Sequence, residues 1–191
     1  MLERLRTPKG IQRLLDSFSY HKADTAWSPR RVLQEQTAHC LEGALLAAAA
    51  LRAIGYPPLV FDLEANRDTD HVVALYRVRG NWGAIAKSHF TGLRDRMPIY
   101  RTLRELAMSY FDDYFNDLGE RTLRRYSRPV NLARFDQRNW MTSEKPVWYI
   151  PEYLLEMPHK KLLTKSQVDR LYRIDRLGVH AGLLGYRKPK W

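Results

Sequence analysis

Cysteine is almost missing from this chain: Cys40 is the single one among 191 residues. An intramolecular disulfide framework is thereby excluded, and such usage suits a reducing compartment. Long apolar runs are missing too. The longest, Ala44 to Leu51, covers eight residues before Arg52, against the roughly 20 that a membrane-spanning helix needs. The opening residues, MLERLRTPKGIQ, lack the apolar stretch and small-residue cleavage site of a secretory signal. These absences lead to the expectation of a cytoplasmic protein without a transmembrane segment. Glycine-rich phosphate loops, dinucleotide fingerprints and nucleophile-elbow serines are likewise absent, so nucleotide-dependent chemistry has no support and no cofactor is expected.

What remains is an ordinary globular composition, 45% hydrophobic and 12% aromatic, sized for one domain or one domain with a decorated end. The charge is uneven. Of the net +11, residues 1–119 carry +2 and residues 120–191 carry +9. A field of this kind attracts acidic partners such as nucleic acid, an anionic surface or an acidic protein.

Local signals place helices at three points in the first third. Thr7-Pro8 and Ser28-Pro29 each offer an N-cap followed by proline at the first helical position. The third helix, CLEGALLAAAALRAIG, is apolar nearly all round and ends at Gly55 before Tyr56-Pro57-Pro58, which predicts a buried central helix starting at or near Cys40. Three strand-length segments follow at 58–65, 71–78 and 82–88, the last two joined by a short hairpin at Arg79-Gly80-Asn81. A fourth helix is expected over 101–117. In the second half VWYI reads as a further strand, and 164–176 as a last helix with Thr164 and Gln167 at capping-box spacing, after which Gly178, Gly182 and Gly185 break the pattern.

A nucleophilic cysteine needs its thiolate, which a helix N-terminus, a histidine in reach and partial exposure favour. Cys40 meets the first, and His71 opens the second predicted strand 31 residues later. His39 is a poorer partner, because adjacent residues on a helix do not face each other. Gln34 and Gln36 lie upstream, and either amide can donate to an oxyanion. His39, Cys40, His71 and His89 lack the short ligand spacing of zinc motifs, so no metal is expected.

The runs TAHCLEGALLAAAALRAIGYPPLVFDL and DHVVALYRVRGNWGAIAKS resemble the core of the transglutaminase-like superfamily, within the papain-like cysteine peptidase fold, over about residues 30–90. That resemblance implies an α+β papain-like core, with the Cys-bearing helix packed on an antiparallel sheet. It implies Cys40 as nucleophile, His71 as general base and acid, and amide hydrolysis or acyl transfer through a thioester. The substrate would be a peptide, a protein or a small amide. Gln34, six residues before Cys40, has a spacing similar to that of the papain-like oxyanion glutamine.

The chain departs from the family where an aspartate usually follows the tryptophan of the third strand: after Trp82 it reads Gly83, Ala84, Ile85, Ala86, Lys87, Ser88. Ser88 is the nominee to accept the other imidazole N–H, a task a hydroxyl performs without supplying charge. Asp70 adjoins His71 and should point to the opposite face, whereas Asp62 and Glu64 on the neighbouring strand stay open as alternatives. The expected organisation is a transglutaminase-like core over 1–119 and a basic helical and aromatic extension over 120–191 packed on it. The alternative function is an inactive binding module whose arginines and aromatics, Arg121 to Trp140, hold an acidic partner such as nucleic acid. The same mixture also arises when arginine stems cover aromatic residues on a helical surface.

Overall fold

The computed structural model describes residues 5–184. Helices α1 (Pro8–Ser17), α2 (Pro29–Glu35) and α3 (Cys40–Ala53) open the chain as the capping signals predict. Thr7 accepts from the Gly10 N–H and Ser28 from the Arg31 N–H, each satisfying one orphan donor of its first turn. Strands β1 (Leu59–Ala65), β2 (His71–Val78) and β3 (Asn81–Ile85) then form an antiparallel meander. The β2–β3 turn is two residues, Arg79 at φ 47° and Gly80 at φ 85°, the pair of positive values that matches the strand twist.

Among the described residues the sheet has seven strands, all paired antiparallel, in the order β4-β3-β2-β1-β5-β7, with β6 also on β1. The added strands are β4 (Arg96–Tyr100), β5 (Leu123–Tyr126), β6 (Val130–Asn131) and β7 (Lys160–Lys161). Both faces are covered, which explains why β2 reads as a nearly unbroken apolar run. Val60, Val72, Ala74, Tyr76 and Ile85 face the core that contains α3. Phe61, Leu63, Val73, Leu75 and Ala84 face a second core built around Leu106, Tyr110 and Tyr114. In α3, Leu45, Leu46 and Leu51 are fully buried, so cutting any one to alanine costs about 2–5 kcal/mol.

Four expectations change. The helix expected over 101–117 is shorter, α4 (Leu103–Met108), followed by a 3-10 turn at Phe111–Asp113. Tertiary contacts end it: Arg96 donates to the Ser109 carbonyl and hydroxyl, while the Tyr110 and Tyr114 hydroxyls donate to the carbonyls of Arg94 and Thr69. VWYI is no strand, because Tyr149 and Ile150 start α5 (Tyr149–Glu156). Pro151, in its first turn, lacks an N–H that would be unpaired there anyway.

The helix expected over 164–176 is cut to α6 (Lys165–Val168), with the expected Thr164/Gln167 cap, and a separate helix, α7 (Arg176–Gly182) capped by Asp175, forms where the glycines were expected to break the pattern. Gly178 lies inside α7, and Gly182 is its last residue. A Cβ on Gly182 would stand 2.7 Å from the Phe115 ring, so the glycine serves close approach. Gly185 lies outside the described residues.

The packing has no seam at residue 120. Strands β5 and β6 both pair with β1, and Leu132, Phe135, Trp140, Val147, Ile150 and Leu154 belong to the same core as α3. Among the described residues no helix is long and apolar enough to cross a membrane.

Candidate functional site

Cys40 is the first residue of α3, and His39 before it is extended, at φ −92°. The Glu42 carboxylate returns to the His39 N–H (3.3 Å), fixing the turn that presents the thiol. His71 sits at the start of β2, opposite Leu63 of β1. Cys40, His71 and Ser88 all line one cavity of about 630 Å³, with Asp70, His89 and Tyr114 among the other wall residues.

Within that cavity the thiol and the imidazole are both neutral at rest. Burial pushes the Cys40 thiol up to about 11, against the smaller opposing effect of the Val72 and Leu41 N–H groups. Its Sγ lies 3.7 Å from the Asp70 carbonyl, to which the thiol donates. Burial pushes His71 down to about 4, outweighing its hydrogen bond to the Leu93 carbonyl. That bond, 2.8 Å from Nε2, fixes the tautomer, since a carbonyl only accepts. Nε2 therefore carries the proton and Nδ1 is the basic nitrogen.

The partner of the His71 N–H is thus a backbone carbonyl. Ser88 lines the cavity but its Oγ accepts from the Phe90 N–H at 3.0 Å. Asp70 directs a carboxylate oxygen to the Ala65 N–H (2.8 Å), and burial raises its acid to about 6. Lys87, two residues past the end of β3, is buried and donates to the carbonyls of Leu15 and Phe18 at 2.7 and 2.5 Å. It caps the end of α1. Gly43 makes room for it, since a Cβ there would overlap the Lys87 Cβ.

Gln34 is not brought to the site. It lies exposed on α2, whose buried face is Pro29 and Val32, and it does not line the cavity. Gln36 ends α2 in the left-handed region at φ 53°, and the chain then turns through Thr37 and Ala38 alongside Ser19 before reaching Cys40. The donors that reach the thiol are backbone N–H groups of the first turn of α3 and of Val72.

Three features escape sequence reasoning. His89 shares the cavity, its imidazole pushed down to about 4 by burial and by Lys22. Glu42, fully buried, gathers the 21–27 segment onto α3. Asp62 forms a buried ion pair with His159, 97 residues away, at 2.8 Å. Only Glu42 left a trace in the sequence, a glutamate at the third position of a helix. His39, Cys40, His71 and His89 share the cavity wall, but among the described residues no three His, Cys, Asp or Glu side chains are arranged to hold a metal ion.

The second-half arginines are largely engaged. Arg134 stacks on Tyr153 (4.0 Å) and Arg138 on Tyr149 (3.5 Å), while Arg125 pairs with Glu64 (3.2 Å) and Arg121 lies over Tyr172 (4.9 Å). Arg121, Arg134 and Arg138 lay their guanidinium groups over aromatic rings. Compared with known families and with curated proteins, the chain matches no family model and no curated protein.

Proposed function

We propose that the protein is a thiol-dependent amide hydrolase or acyltransferase, with Cys40 as nucleophile and His71 as base. The observation that carries this reading is that residues 31 apart in sequence, one on a helix N-terminus and one on a strand, line the same 630 Å³ cavity. With the thiol near 11 and the imidazole near 4, a preformed thiolate–imidazolium pair is not the resting state. Proton transfer to His71 accompanies attack. The Cys40 sulfur bonds to the carboxamide carbon as its proton passes to His71. The tetrahedral oxyanion then collapses, expelling the amine, which takes that proton. Water or a second amine cleaves the thioester, with His71 accepting its proton and returning it to the Cys40 sulfur as that sulfur leaves. Backbone N–H groups of the first α3 turn are the nearest oxyanion donors, in place of Gln34.

The test uses 4-nitrophenyl acetate as acyl donor and intact-mass detection of the adduct. A single hydroxylamine-sensitive acetyl group is expected, absent in Cys40→Ser, with formation and loss both slowed in His71→Ala. Equal rates in the wild type and His71→Ala overturn the reading.

A second reading rests on a specific observation: the thiol is held neutral by burial, and the His71 N–H meets a carbonyl where a carboxylate would stabilise the imidazolium. On that reading the fold is a non-catalytic module that holds an acidic partner through its basic second half. The equal-rate outcome removes the first reading, and salt-dependent binding of generic nucleic acid tests the second.

A further inference from the structure

Cys40 lines a cavity whose wall also includes part of a segment with no regular secondary structure. Residues 20–28 form neither helix nor strand. Tyr20, Lys22, Ala23 and Asp24 nonetheless line the cavity together with Cys40. The segment is pinned at both ends by backbone bonds. Ser19 exchanges hydrogen bonds with the 36–38 turn (3.1 Å each), and the Ala26 carbonyl accepts from the Val147 N–H at 2.7 Å.

Between and beside those pins, polar contacts converge on one carboxylate. Glu42, fully buried two residues after Cys40, accepts from His21 Nε2 (2.8 Å), the Thr25 hydroxyl (2.7 Å) and the Trp27 N–H (2.9 Å). His39, the residue before Cys40, adds a bond from its Nε2 to the Thr25 carbonyl at 2.8 Å. The His21 ring also packs against His39 and Trp27, at 5.2 and 4.9 Å between centroids. A buried carboxylate with several donors is a strong tie while intact, and costly to leave partly satisfied.

We propose that residues 20–25 are a movable wall of the cavity, that Glu42 is the latch holding it to the helix turn bearing Cys40, and that unlatching governs access to the thiol. Glu42 is a positioning residue in this scheme. The inference rests on Cys40 lying in the cavity and is independent of whether Cys40 is catalytic. Local opening of such a wall exposes little surface, whereas global unfolding exposes a great deal. That difference separates a latch from a residue that merely stabilises the fold.

The experiment follows iodoacetamide alkylation of Cys40 against urea, below the unfolding transition, in the wild type, Glu42→Gln, Thr25→Val and Leu106→Ala. Leu106 lies fully buried in the core on the other face of the sheet, so its variant is a destabilised control. Glu42→Gln and Thr25→Val should label roughly tenfold faster or more, with rates nearly independent of urea. Leu106→Ala should label through a steeply urea-dependent route. Thr25→Val removes one hydroxyl from the wall itself and carries the test if Glu42→Gln fails to fold. Wild-type rates in Thr25→Val, or acceleration only along the steep urea dependence of Leu106→Ala, overturn the proposal.

Discussion

Replacing His159 by leucine should destabilise the protein by about 3–5 kcal/mol, the range found when one partner of a buried ion pair is removed. His159 donates from Nδ1 to the Met157 carbonyl (2.7 Å) and from Nε2 to the Asp62 carboxylate (2.8 Å), so both nitrogens carry protons and the ring is an imidazolium. The hydrogen bond to Asp62 raises its pKa above the ordinary histidine value. The side chains are only 6% and 3% exposed. Leucine roughly keeps the volume but leaves the Asp62 carboxylate buried without its cation.

For a chain of this length each kcal/mol moves Tm by about 2–4 °C, so a loss of about 6–20 °C is expected by calorimetry at pH 7. Adding Asp62→Asn should recover part of it, since a neutral amide costs less to bury. The pH dependence has a definite sign. A raised folded pKa gives stability that is complete below the unfolded value near 6.5 and is lost as pH rises through the folded value. The wild type should therefore show an alkaline decline that His159→Leu lacks. A loss under about 1 kcal/mol, or the same alkaline slope in both proteins, would refute the assignment of a charged, coupled pair.

Cys40 should label as a buried thiol: with its pKa at about 11 against the usual 9.0, it carries about a hundredfold less thiolate at pH 8. Its alkylation rate should keep climbing beyond pH 10, and a plateau below pH 9 would contradict the burial effect. His71 and His89 are both held down at about 4, so the unfolded chain binds protons first and stability falls as pH drops from about 6.5 toward 4. Imidazole titration by NMR checks this, and midpoints near 6.5 for both would be the contrary result. Lys87→Met keeps the stem beside Gly43 but strands two carbonyls at the end of α1. A loss of about 2 kcal/mol in urea unfolding is expected, with a cost under 0.5 kcal/mol arguing against the capping role.

Much of the first half was legible because its signals are local. Thr7-Pro8 and Ser28-Pro29 cap their own first turns, the α3 run is helical by composition, and Arg79-Gly80 closes a hairpin within two residues. The chain beyond β3 was read poorly for the opposite reason. Strands β5 and β7 are short, basic and near the sheet edge, and Pro98 sits within the edge strand β4, so none shows an alternating apolar pattern. In the 101–117 segment, Arg96 and two tyrosine hydroxyls override a helical periodicity that is present in the sequence.

Local signals along the chain specify the starts of α1, α2 and α3, the β1–β3 meander, the burial of α3 and the placement of Cys40 at its first residue. They also specify the opening of β2 by His71. These follow from dihedral preferences and from apolar spacing, which act over a few residues. Tertiary structure alone decided that Gln34 faces outward, that Lys87 caps α1, that Leu93 supplies the acceptor for His71, and that His159 pairs with Asp62. Each depends on where a distant part of the chain comes to rest. A buried polar group must find its partner there, whatever the separation in sequence.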